Sequence, residues 1–156
     1  MLGVRLICIG KLKERYWRDA VAEYEKRLRP LCRWELMELP EARLPQDPSP
    51  AEIKAALEKE AAAILERTQG AVCPLCIEGK QLDSPALARR LQKAMDHPGA
   101  VTFVIGSSFG LADAVKQAGE GISMSPMTFP HQLARVMLCE QLYRGFQILQ
   151  NSKYHK

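Results

Sequence analysis

The sequence predicts an α/β protein, a mostly parallel β-sheet with helices on both faces, and three observations carry that expectation. Short apolar runs alternate with amphipathic helical patterns along the whole chain, the order in which strands and crossover helices succeed one another in parallel sheets. The run Val101-Thr102-Phe103-Val104-Ile105 shows no polar alternation apart from Thr102, as a strand buried on both faces requires. With 156 residues and 47% hydrophobic content, the chain is long enough for one cored domain and is read as a single unit over residues 1–156.

Each element has a local reason. A first strand is expected over residues 2–9 and a helix over 14–29. Residues 33–39 alternate in strand fashion, and the Pro-rich, polar stretch 40–50 reads as a mobile loop. Ser49-Pro50-Ala51-Glu52 forms a capping box with proline at the first helical position, opening a helix that runs to about residue 68 and stops at Gly70. A strand over 71–77 is followed by a helix that Ser84-Pro85 opens and that extends to 96. After the buried strand come a short helix over 111–118 and a strand over 121–124. The last helix takes Thr128 as its expected N-cap, with Pro130 just inside its start, where a missing N–H costs nothing. Leu133, Val136, Met137, Leu138, Leu142, Phe146, Ile148 and Leu149 make it apolar around more than half its circumference. Such a helix needs cover on two sides, and in a domain this small one cover is expected to be a second subunit.

Composition narrows the function classes. No apolar run approaches the length of a transmembrane helix, and the first apolar run carries Arg5 in its middle without a cleavage site after it, so it reads as a strand and not a signal peptide. A cytoplasmic location is the expectation. The formal charge of +4 only mildly favours nucleic acid. Its distribution says more: Arg135, Arg144, Lys153, His155 and Lys156 lie on or after the last helix, and Lys11, Lys13 and Arg15 follow the first strand. Loops at the carboxyl ends of strands are where open α/β sheets bind ligands. Of five cysteines, Cys8, Cys32, Cys73 and Cys139 sit in apolar surroundings, as small core residues of a reduced protein do.

Two short motifs compete for attention. Gly106-Ser107-Ser108-Phe109-Gly110 matches G-x-S-x-G, the nucleophile elbow of α/β-hydrolases, with Ser108 as nucleophile and Asp113 or Glu120 and His131 following in chain order. The chain is short for that fold and lacks an HGGG-type oxyanion loop. The alternative is a glycine-rich strand end whose backbone approaches a ligand. Cys73-Pro74-Leu75-Cys76 has the spacing of redox thiols but lies on a strand, where residues three apart point to opposite faces. No second ligand pair has zinc-site spacing, so no metal is expected. The loop Met124-Ser125-Pro126-Met127-Thr128-Phe129 offers apolar side chains and backbone groups that suit an adenine ring.

The pattern S-x-x-x-M-T-F-P-H-Q-L-x-R-V-x-L-x-E-Q-L-Y-R-x-F from Ser123, closing in Tyr154-His155-Lys156, closely resembles the RlmH family of ribosomal RNA methyltransferases, in the SPOUT superfamily of knotted α/β enzymes. The resemblance spans the whole chain. It implies a C-terminal trefoil knot, a homodimer, S-adenosylmethionine as cofactor, and methylation of N3 of a pseudouridine in 23S large-subunit ribosomal RNA within the assembled ribosome. It places the cofactor against Leu75, Gly106, Met124, Ser125, Pro126, Met127, Thr128 and Phe129. Tyr154 is the candidate for stacking, His155 for proton handling, and Arg135, Arg144 or Lys156 for stabilising charge on the uracil oxygens. The family pattern I-G-G-x-x-G is altered here by Ser107 and Phe109, and Cys76 replaces a usual acid. These departures motivate a second expectation, a ribosome-associated module that has kept the fold and lost catalysis.

Overall fold

The computed structural model describes residues 1–156. Strands β1 (Gly3–Ile9), β2 (Arg33–Leu39), β3 (Ala71–Gln81), β4 (Ala100–Ile105) and β5 (Ile122–Ser123) are connected through α1 (Arg15–Leu28), α2 (Pro50–Leu65), α3 (Ser84–Asp96) and α4 (Asp113–Lys116), and α5 (His131–Leu149) follows β5. All four strand pairings are parallel, in the spatial order β2-β1-β4-β3-β5.

The period-2 alternation of a strand explains how both faces of this sheet are covered. Leu2, just before β1, and Val4, Leu6 and Cys8 on it face one core with Val101, Phe103 and Ile105, packed under Val21 and Leu28 of α1, Leu91 of α3 and Leu138, Leu142 and Phe146 of α5. The alternate residues Ile7, Ile9 and Val104 face a second core under Ala61 and Ile64 of α2 and Val115 of α4. The two polar intruders in the central strands each have partners. Thr102 is wholly buried; its hydroxyl donates to the Gln69 carbonyl and accepts from the Gln69 amide, both at 2.8 Å. Arg5 stands opposite Glu35 in the β1–β2 register, pairs with it at 2.6 Å and donates to the Arg67 carbonyl.

The capping box at Ser49 and Glu52 forms as the local sequence dictates, with both reciprocal hydrogen bonds present. Two other caps differ from expectation. Asp83, not Ser84, caps α3 by accepting from the Ala86 amide at 2.8 Å, which frees the Ser84 hydroxyl to bond Gln141 of α5 at 2.6 Å. Thr128 does not cap α5: Pro130 occupies the position before the first helical residue, and no side chain caps the helix. β3 runs beyond residue 77 to Gln81 through an irregularity in which both Leu75 and Lys80 lie opposite Ile122. The expected 111–118 helix shrinks to the single turn Asp113–Lys116, and the 121–124 strand to two residues. No helix is long and apolar enough to cross a membrane.

Candidate functional site

Parallel pairing puts the carboxyl ends of all five strands on one edge, and a cleft of about 180 Å³ opens there between the ends of β3, β4 and β5 and the first turn of α5. Leu75, Gly106, Met124, Ser125, Met127, Thr128 and Phe129 line it, so seven of the eight residues expected to hold cofactor come together; Pro126 is the one outside the lining. Ile105, Ile122 and His131 also stand in the wall; sequence reading missed Ile105 and Ile122 because buried strand ends look structural, and weighed His131 only as the histidine of the hydrolase arrangement. A larger cavity of about 300 Å³, bounded by Gly70, Ala71, Arg90, Lys93 and Glu120, lies at the amino-terminal ends of β3 and β4. That is the edge opposite to where open α/β sheets place ligands, so the smaller cleft is the better candidate.

The loops around the cleft are wound by their own hydrogen bonds. The Ser123 hydroxyl donates to the Ser125 carbonyl at 3.1 Å, and the Ser125 hydroxyl accepts from the Met127 amide at 3.0 Å. Ser107 and Gly110 close a tight turn, Gly110 N–H donating to the Ser107 carbonyl at 2.9 Å with Gly110 at φ +86°. Gly106 is needed for that turn: a Cβ there would collide with the Gly110 carbonyl. Ser108 sits exposed on the turn, outside the cleft that His131 lines, so the nucleophile-elbow arrangement is not assembled. The cysteines are all free thiols. Burial pushes Cys8 and Cys32 up to about 12 and Cys73 up to about 11, the last despite the Arg90 guanidinium 3.1 Å away. Such thiols stay protonated and poorly nucleophilic at neutral pH. Cys76 lines the cleft, also raised by burial. No group of His, Cys, Asp and Glu side chains could hold a metal ion.

Arg135 is only 3% exposed and lies beside this cleft without lining it. Its guanidinium pairs with Glu38 at 2.5 Å and donates to the Gly10 carbonyl at 3.2 Å, while the same Glu38 oxygen accepts from the Leu12 amide at 3.3 Å. It therefore ties α5 to the ends of β1 and β2. Glu38 was not foreseen, since it is 97 residues away in sequence.

The tail folds back onto α5 instead of fraying. Arg144 holds Glu140 in a two-pronged pair at 3.1 and 2.8 Å, the Tyr154 hydroxyl donates to Glu140 at 2.9 Å, and the Tyr154 ring lies 4.8 Å from the guanidinium. Tyr143 meets the Tyr154 ring edge-on at 4.9 Å. Partial burial works against ionisation of Glu140, but the hydrogen bonds from Arg144 and Tyr154 outweigh it and hold the carboxyl below its usual range. The Tyr154 phenol is raised, by burial and by its bond to that carboxylate. Arg144 also lies 3.2 Å from Nδ1 of His155. Arginine can only donate, so Nδ1 accepts and the ring carries its hydrogen on Nε2. Glu140, the hub of this cluster, went unrecognised because an acid in an i, i+4 pair with arginine reads as helix surface.

A family described as "Predicted SPOUT methyltransferase" matches residues 2–155. Among solved structures, one similar chain comes from work giving structural insights into the 2-OH methylation of C/U34 on tRNA; it aligns with TM-score 0.54 and 15% identity over 96% of this chain and 98% of its own. TrmJ from Z. mobilis ZM4 aligns with TM-score 0.53 and 14% identity over 93% of this chain and 70% of its own. At such identities the two structures share a fold with this chain.

Proposed function

The chain belongs to the SPOUT methyltransferase family, and on that premise we propose that it is an RlmH-type enzyme. It uses S-adenosylmethionine to methylate N3 of a pseudouridine in 23S ribosomal RNA, working as a cytoplasmic homodimer on assembled ribosomes. The observation that carries this reading is the convergence of Leu75, Gly106 and the 124–129 loop on one cleft. Apolar Leu75, Ile105, Ile122 and Phe129 beside the backbone of two wound loops suit an adenosyl group, flat and apolar on its faces and polar at its edge. The resemblance adds a trefoil knot around this cleft.

When bound, S-adenosylmethionine supplies the electrophilic methyl carbon. The protein orients the acceptor and manages the N3 proton, which is weakly acidic. Arg144 and the Nε2–H of His155 are donors suited to negative charge developing on uracil oxygens, and Tyr154 offers a stacking face. His155 takes up the N3 proton only once its Nδ1 is released from Arg144. Within one protomer this cluster lies far from the cleft: α5 rises about 15 Å from Ala134, in the cleft wall, to Arg144. A second copy supplying its tail solves the geometry, and half-buried Leu133, Met137 and Ile148 on α5 offer the surface for it.

The test is tritiated S-adenosylmethionine with ribosomes and, separately, with transfer RNA, followed by nucleoside mass spectrometry. N3-methylpseudouridine from ribosomes is the expected product; label confined to transfer RNA as a ribose methyl would overturn the acceptor assignment. A second reading, a ribosome-bound module without catalysis, is favoured by Cys76, a neutral thiol where the resemblance has an acid. Calorimetric titration with S-adenosylmethionine separates the two, since a lapsed site shows no saturable binding.

A further inference from the structure

The link from β1 to α1 and the start of α1 carry four cations against two acids: Lys11, Lys13, Arg15 and Arg18 against Glu14 and Asp19. The four cations and Tyr16 are all exposed, Tyr16 at 63%. The backbone beneath them is fixed from three sides. Gly10 turns the chain at φ +94°, and its carbonyl accepts from buried Arg135 at 3.2 Å. The Leu12 amide donates to Glu38 at 3.3 Å with the Leu12 side chain in the core, and the Lys13 carbonyl accepts from Arg18 at 2.9 Å. Arg15 approaches Asp19 at 3.6 Å on open surface, a contact of little strength, and neither Lys11 nor Lys13 has an ion-pair partner.

This shelf stands on the same edge as the cleft. β1 neighbours β4, whose end carries Gly106, and the α5 turn that gives Ala134 and His131 to the cleft gives Arg135 to the shelf. Two lysines without ion-pair partners on a fixed backbone, beside an exposed aromatic ring, are the chemistry that takes phosphates and an unstacked base. We propose that Lys11, Lys13 and Tyr16 grip the RNA strand flanking the target nucleotide, the two lysines on consecutive phosphates and Tyr16 against a base. Arg135 acts as the positioning residue that aims the shelf at the cleft. The inference rests on the reading of the chain as an RNA methyltransferase and adds the surface that holds the substrate.

The experiment measures direct binding of the full-length protein to ribosomes and to transfer RNA at about 50 to 200 mM KCl, with methyl transfer followed in parallel. Lys11→Ala/Lys13→Ala should weaken binding about tenfold and flatten the plot of log affinity against log salt by about 0.7 for each lost phosphate contact. Lys11→Arg/Lys13→Arg should keep both values, and Tyr16→Ala should weaken binding without changing the salt slope. Calorimetric affinity for S-adenosylmethionine should be the same in all of them. An unchanged salt slope in the double alanine variant overturns the shelf, even with methyl transfer intact. Failure of the wild type to methylate either RNA overturns the enzymatic reading instead, and the binding curves still judge the shelf. Lost binding to a protein-coated ribosome, with binding to protein-free 23S ribosomal RNA unchanged, would assign the shelf to a ribosomal protein and overturn it as an RNA grip.

Discussion

Arg135 shows how the same side chain can be read two ways. Its place in a basic helix suggested a catalytic donor; its burial and its bonds to Glu38 and Gly10 make it a strut. Arg135→Gln should cost about 2 kcal/mol in urea unfolding, below the usual cost of breaking a fully buried pair because Glu38 keeps some solvent. Affinity for S-adenosylmethionine should change far less; a variant as stable as wild type but catalytically dead would restore Arg135 to the chemistry. Gly106→Ala should weaken S-adenosylmethionine binding at least tenfold, read by calorimetry, because the added methyl meets the Gly110 carbonyl and must open the turn. Such pairings were not legible beforehand: a sequence shows that an arginine sits on a helix, not which acid 97 positions away it meets.

Among elements, legibility followed locality. The Ser49 capping box could be read because its partners lie three residues apart, and the buried β4 because its composition admits only one polar residue, Thr102. The start of α5 and the far end of β3 were misjudged because both are set by contacts between segments, at Gly79 against Ile122 and around the cleft. The tail of α5 is held by a titratable hub. Since the Glu140 carboxyl is held below its unfolded value, the anchoring it provides is complete above the ordinary carboxylate range and is lost as pH falls through the lowered folded value. Carboxypeptidase digestion should therefore be slow at neutral pH and accelerate in acid. Glu140→Gln should release the tail at neutral pH and abolish that acid dependence; a tail equally protected in the variant would show that ring stacking, not the carboxylate, holds it.

At the scale of the whole molecule, the separation between cleft and tail makes a two-chain experiment decisive. A protomer truncated after Gln150 and a protomer with Gly106→Val should each be inactive. Mixed and re-annealed, they should regain about a quarter of wild-type methyl transfer, because in the proposed homodimer half the pairs are mixed and each of those holds one complete site. No recovery, with mixed dimers verified by mass, would mean that each chain serves its own cleft. The alternating arrangement of strands and helices was readable from periodicity alone, but the strand order was not. Nothing in the composition of β1 says that its neighbours are β2 and β4.

That strand order also shapes how the chain is made. β1 precedes β4 by some 90 residues, so one of its two flanks stays unpaired until β4 is available. During that interval a nascent chain carries a βαβ unit with an open edge and the uncovered apolar faces of Val4, Leu6 and Ile7. Chains interrupted before Ala100 should be captured by chaperones or aggregate, while those that reach Ile105 can close the sheet's centre.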